Sequence, residues 1–356
     1  MAGRAKPEDR VDERDTMFAR MALAAGTPQH REYYSRHPEL RETDDRIRRL
    51  PGLLEPGGSY YDREIAEEAG EFFRLIGEIE VEDSLVRAWA GRLQAAESPT
   101  SCLKELLIAE GAVAAGCAAL DERYVYTHKG RFPEESGREI GLDHPSVIVF
   151  LVEMDFDEMQ RAPQAETIRE SAQQYYRAAR LSLLLEKVLR ATGHAAKAHY
   201  DAHYDLILPP LAVLAGLGEL GRNNILIAGR YGSRVRIGAV STDFQVEHDA
   251  PVSLGADALC EVCRKCAENC PSRSLSLLEK EVVRGVRKWP TRVETCYGYW
   301  RSVGTDCGVC MACCPFSHRN NAFHNLVRWM IRRFRFLRRP AVFCENLCYG
   351  RTWRPR

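Results

Sequence analysis

The chain has no net charge to declare a partner: fifty basic side chains meet fifty acidic ones across its 356 residues. Composition therefore gives no general pull toward nucleic acid or an anionic membrane, and no nucleic-acid partner is expected. No stretch approaches the roughly twenty consecutive apolar residues of a membrane-spanning helix, and low-complexity sequence is absent. Met1 to Arg14 is charged throughout, with neither an apolar run nor a twin-arginine pair, so it reads as free of an export signal. The cysteine count, thirteen, is odd, which disfavours a disulfide framework and leads us to expect a reducing, cytoplasmic setting.

What the cysteines do form is a pattern. Eight of them fall in two interleaved runs, Cys260, Cys263, Cys266, Cys270-Pro271 and then Cys296, Cys307, Cys310, Cys314-Pro315. The first run is C-x2-C-x2-C-x3-C-P, the bacterial ferredoxin spacing, in which three close thiolates hold one [4Fe-4S] cube and the fourth reaches another. By that logic one cluster takes Cys260, Cys263, Cys266 and Cys314, and the second takes Cys270, Cys296, Cys307 and Cys310. Four-thiolate zinc sites also use C-x2-C pairs, but two of them would not require the x3-C-P ending twice. Cys313 is a neighbour of the expected ligand Cys314, and Cys102, Cys117, Cys344 and Cys348 are scattered.

Three regions are expected: a charged, aromatic helical lead-in over residues 1–95, a layered α/β core over 96–250, and an iron-sulfur domain over 251–356 ending in a basic helix. The apolar runs Val113 to Leu120, Val147 to Glu153, Leu206 to Leu208, Ile225 to Ala228 and Val235 to Thr242 predict strands. Glu166 to Ala191 predicts a long helix, with Ile168, Ala172, Tyr175, Ala179 and Leu183 at helical spacing and Gly193 as its stop. Gly216-Leu217-Gly218-Glu219-Leu220-Gly221 matches G-x-G-x-x-G. It follows a helical segment and precedes a strand, the wrong context for a dinucleotide fold, so it implies close backbone approach to a packed strand or a flat cofactor.

A resemblance covers nearly the whole chain, from Asp12 to about Gly350. Asp12 to Met21, Tyr33-Tyr34 with His37-Pro38-Glu39, and Ala215 to Arg222 resemble the reductive dehalogenase family. So do Tyr231-Gly232 with Arg234-Val235-Arg236, Thr242-Asp243 and the cluster motifs ending Cys314-Pro315-Phe316-Ser317. The resemblance implies a nitroreductase-like core that binds a corrinoid such as cobalamin, followed by a ferredoxin-like domain whose two [4Fe-4S] clusters deliver electrons to cobalt. The loop Gly216 to Asn224 and the segment His199 to Tyr204 are the candidates for the corrinoid pocket, through His199, His203, Gly216, Gly218, Glu219, Gly221, Arg222 and Asn223. In the family a tyrosine donates a proton beside a basic residue. Tyr175, with Tyr176 as competitor, fits that pattern, and the partner would be Arg234 or Arg236, between which strand spacing cannot choose. An adjacent cation lowers a tyrosine pKa, so the pair is expected to favour phenolate.

The expected function is reduction of an organohalide or a related small molecule, fed by a low-potential donor such as ferredoxin or flavodoxin. Respiratory members carry a twin-arginine signal, which this sequence does not show. Epoxyqueuosine reductases, tRNA-modifying relatives, have Asp-Tyr-His where this chain has Gln174-Tyr175-Tyr176. A non-enzymatic electron relay to another corrinoid protein would keep the cysteines and reduce Tyr175 to packing. His194, His199 and His203 lie close in sequence, but the loop around them disfavours a metal site. Leu326 to Arg339 interleaves six arginines with Trp329, Met330, Ile331, Phe334, Phe336 and Leu337. Such a segment commonly packs its apolar side inward, while peripheral membrane contact or partner docking is the alternative use.

Overall fold

A computed structural model describes residues 10–355. Residues 1–9, over which most of the export-signal reading runs, lie outside the described residues, as does residue 356. The strands in chain order are β1 (Ala114–Ala119), β2 (Ser146–Glu153), β3 (Ala196–His199), β4 (Gly218–Leu220), β5 (Leu226–Ala228), β6 (Val235–Thr242), β7 (Glu281–Val283) and β8 (Val286–Lys288). Four of them make one sheet in the order β1-β2-β6-β3, and β4-β5 and β7-β8 are separate hairpins. Every pairing in the main sheet is antiparallel, with Cys117 opposite Ile148 and Val149 opposite Ala239. The fold is mixed α/β.

β2 lies second in the sheet and is covered on both faces, which is why it reads as an unbroken apolar run. Its alternation still sorts the side chains. Ile148, Phe150 and Val152 meet Leu181, Leu184, Leu185 and Val188 of the long helix Glu166–Ala191. Val147, Val149 and Leu151 face Leu211 and Ala212 of the helix Leu208–Leu214 and the Val125-Tyr126 segment. All five residues Val147 to Leu151 are fully buried, and each such side chain contributes roughly 1.5–3 kcal/mol relative to exposure. The long helix can sit this close because β6 carries Gly238, where an added Cβ would fall 2.3 Å from the Phe150 ring.

Two of the expected strands differ. Leu206 makes only a single bridge to Val125, and Leu208 already opens a helix whose first turn is set by proline, since proline lacks the N–H that a helix start leaves unpaired anyway. The strand expected at Ile225 to Ala228 exists as β5 but pairs with β4 rather than joining the main sheet. β3, which the sequence reading passed over, completes the sheet edge.

The lead-in is tied down by ion pairs. Arg20, 3% exposed, reaches fully buried Asp44 and also Glu294 at 2.8 Å, on the helix Val293–Val303 that carries Cys296. Removing one partner of such a buried pair costs about 3–5 kcal/mol. Among the described residues no helix is long and apolar enough to cross a membrane.

Candidate active site

Ser171 and Tyr175 are four apart on the long helix, so they share a face, and both line a cavity of about 590 Å³. Arg236 enters the same cavity from β6. Its guanidinium lies 4.6 Å from the centroid of the Tyr175 ring and donates to Asp306 Oδ2 at 3.0 Å and to Ser171 Oγ. The same cavity is lined by Cys270, Cys296, Cys307 and Cys310, the four thiols grouped by spacing as one set. Phe18, Phe73, Tyr297 and Trp300 make much of the remainder apolar, and Arg131 and Asp201 add a second cation and a carboxylate.

The structure separates the competing residues. Arg234 is fully buried and donates to the carbonyls of Ser317 at 2.7 Å and Met154 at 2.5 Å, with Glu153 at 3.2 Å. It ties the end of the sheet to the segment after Cys314-Pro315 and does not line the cavity. Tyr176 turns toward Phe72, with ring centroids 6.1 Å apart, so of the two tyrosines only Tyr175 faces the cavity. Its pKa is raised by burial, which outweighs the opposing pull of Arg236. The expectation of a phenolate-favouring pair is thereby corrected: burial favours the protonated phenol.

Two atoms in this site have no partner. Arg236 Nε and Asp306 Oδ1 are buried without a hydrogen bond, and each such group typically costs about 1–3 kcal/mol. A polar group entering the cavity would relieve both.

The remaining thiols gather outside the cavity lining. Cys260 and Cys314 share an apolar cluster with Leu259, Trp289 and Phe316, with Cys263 at its edge. Burial raises the Cys260 and Cys266 thiols, and the proximity of Cys314 raises both further. Cys313 sits beside Cys263 and Cys266, so proximity alone does not separate it from Cys314. In the cavity wall, burial pushes Cys296 up to about 11 and Cys307 up to about 12, and Cys310 well above its ordinary value. Such thiols are neutral alone and give up their protons on metal binding. Among the described residues no three His, Cys, Asp or Glu side chains converge closely enough to hold a single ion. That includes His194, His199 and His203.

The residues expected to cradle the corrinoid have other work. His199 is fully buried, with Nε2 2.8 Å from Ser241 Oγ and Nδ1 accepting from the Asp205 amide, and burial pushes its pKa down to about 3. Neither ring nitrogen is left for a ligand. His203 stacks on Phe132 and Tyr200 and is exposed. Gly216 and Gly218 are pressed by the chain itself: an added Cβ would lie 2.7 Å from Ala250 O and 2.3 Å from Ile227 O. A Cβ on Gly221 would meet Asn223 Oδ1 at 2.7 Å. Glu219 accepts from the amides of Ala256 and Asp257, capping the helix Ala256–Cys263. Arg222, stacked on Trp289, donates to the carbonyls of Cys260, Ser276 and Leu278. Asn223 donates to Cys310 O and alone of these residues also lines the cavity. The glycine loop is thus a bracket for the cysteine segments.

Arg131, Asp201, Asp306, Phe18 and Trp300 belong to the cavity and were missed. No local motif marks them. Their only signal is convergence in space.

No family model matches the chain. It is 32% identical over 199 residues to a tetrachloroethene reductive dehalogenase of Sulfurospirillum multivorans, covering 54% of this chain and 39% of that protein. An epoxyqueuosine reductase of Lactococcus garvieae is 28% identical over 151 residues, 39% of this chain and 40% of that one. Among solved structures, the catabolic reductive dehalogenase NpRdhA superposes with a TM-score of 0.72 at 19% identity, over 96% of this chain and 46% of that one. The chain thus spans less than half the length of these proteins. In sequence and in fold it resembles the reductive dehalogenases, with epoxyqueuosine reductases among its relatives in sequence.

Proposed function

We propose that the chain is a corrinoid-dependent reductase that removes halogen from an organic substrate, with residues 96–250 as the corrinoid-binding core and 251–356 as a ferredoxin-like domain. One observation carries this reading: a single cavity sets Tyr175 and Arg236 against four of the eight patterned thiols. Two [4Fe-4S] clusters would be held by Cys260, Cys263, Cys266 and Cys314, and by Cys270, Cys296, Cys307 and Cys310. The fit is supported by eight buried or half-buried thiols that neighbour one another within the proposed sets, Cys314 beside Cys260 and Cys263, and Cys296 beside Cys270 and Cys307. A corrinoid would be held by residues that line this cavity, Tyr175, Arg236 and Asn223 among them. The mostly apolar lining and the unpartnered atoms of Arg236 and Asp306 suit it or the substrate beside it. When bound, these groups supply two low-potential electrons.

The overall reaction is R–X + 2e⁻ + H⁺ → R–H + X⁻. The carbon–halogen bond breaks, a carbon–hydrogen bond forms, and halide leaves with the electron pair. Tyr175 holds the proton at its hydroxyl, since burial keeps the phenol protonated. Arg236, over the ring, stabilises the phenolate left after donation. Asp306 and Ser171 fix the guanidinium through its hydrogen bonds. Phe18, Phe73 and Trp300 limit water around the donor.

Tyr175→Phe should keep iron and cobalt content while losing about 10²–10⁴-fold in dehalogenation rate, and Tyr176→Phe should stay near the parent rate. Full turnover in Tyr175→Phe, measured as halide release with a chemical reductant, would end this assignment.

A further inference from the structure

The C-terminal helices bury Ile331, with Val327, Ala341 and Val342 packed against the same cluster, and each also carries apolar side chains outward. In Ala322–Arg333 the exposed positions include Phe323 at 64%, Leu326 at 53% and Trp329 at 54%, three apart and so on one stripe, while Arg328 points inward and donates to the carbonyls of Phe316 and His318. In Arg338–Tyr349 the outward stripe is Phe343 at 69% and Leu347 at 76%, and Phe336 stands 75% exposed on the connecting turn. These are six of the twelve large apolar side chains exposed among the described residues. A water-facing amphipathic helix would show the opposite arrangement.

Charge decides what covers this surface. Arg332, Arg333, Arg335, Arg338 and Arg339 cluster where the two helices join, Arg333 lying over the Phe334 ring, and among the described residues none of them has an ion-pair partner. The one acidic residue between 322 and 349, Glu345, is buried and paired with Lys265 at 2.7 Å and His318 at 2.8 Å. Exposed aromatic side chains beside a cluster of arginines without carboxylate partners match the boundary between headgroups and acyl chains of an anionic bilayer. Between the same two helices lies an apolar cavity of about 360 Å³, lined by Phe323, Val327, Leu337 and Ala341 among others, which gives an acyl chain a place to enter. A protein partner would have to bring both a carboxylate ring and an apolar core.

We propose that the hairpin formed by Ala322–Arg333 and Arg338–Tyr349 binds the surface of a membrane rich in anionic lipid, lying on it without spanning it. The site is independent of the cavity chemistry.

The test is co-sedimentation of the cluster-loaded full chain with vesicles of phosphatidylcholine alone or mixed with phosphatidylglycerol. Binding should appear only with the anionic lipid and weaken as salt rises. Arg332→Glu with Arg333→Glu should lower the partition coefficient about thirtyfold or more, at about fivefold per arginine lost. Phe343→Ser with Leu347→Ser should lower it at unchanged iron content and halide release. No sedimentation with either vesicle, or equal sedimentation with both, would overturn the proposal. So would a concentration-dependent dimer abolished by Leu347→Ser, since a second copy would then be the cover.

Discussion

The two sets of cysteines sit in different surroundings. Cys260, Cys263, Cys266 and Cys314 are enclosed by Leu259, Trp289, Phe316 and the Arg222 bracket, whereas Cys270, Cys296, Cys307 and Cys310 open onto the cavity shared with Tyr175 and Arg236. Two runs with the same x2-C-x3-C-P ending thus lead into different surroundings. In the proposed reading the enclosed set receives electrons and the open set passes them to the reaction chamber.

The sharpest break in this contrast is a pair of variants. Cys310→Ser and Cys260→Ser should each take iron content from about eight to about four per chain, and both should abolish dehalogenation with a physiological donor. Only the Cys260 variant should keep turnover when a small chemical reductant enters through the cavity. Equal loss in both would erase the distinction.

A smaller effect separates the two arginines around the start of β6. Arg236→Gln should act chiefly on rate, lowering kcat about ten- to hundredfold, although the Asp306 carboxylate left without its cation also costs stability. It should also move the alkaline limb of the pH profile upward, because the phenol then keeps the burial that raises its pKa and loses the cation that lowers it. Arg234→Gln should do the reverse, costing about 2–4 kcal/mol of stability through stranded buried carbonyls with little change in the profile.

The mildest test lies away from both sets. His199 is held neutral in the fold, its pKa pushed down from 6.5 to about 3. As pH falls below 6.5 the unfolded chain takes up a proton that the folded chain refuses, so stability is lost toward pH 3, by at most about 1.4 kcal/mol per pH unit. His199→Gln should flatten that slope in acid denaturation without touching the iron content of either set.

The sequence was most readable where apolar periodicity was long. The long helix appears at its expected bounds, and β1, β2 and β6 within a residue or so, because burial on fixed faces imposes those repeats. β3 was overlooked because Ala196 to His199 is four residues long with a lysine inside. Leu206 to Leu208 looked like a strand because three apolar-rich positions cannot distinguish a bridge from a helix start. Tyr175 was legible through its family pattern, and Arg236 only as one of two. The choice between them depended on Asp306, 70 residues away in sequence, and nothing local announces such a meeting. The glycine loop was legible as close backbone approach to a packed strand or a flat cofactor, and its close neighbours are Ala250, Ile227 of β5 and Asn223.

Glu219 caps the helix that begins at Ala256, and Arg222, three residues on, grips the carbonyl of Cys260. The stretch that carries Cys260 thus takes its shape from the hairpin β4-β5, which stands apart from the main sheet, and under the proposed reading a mutation loosening the hairpin should yield a folded but iron-poor protein.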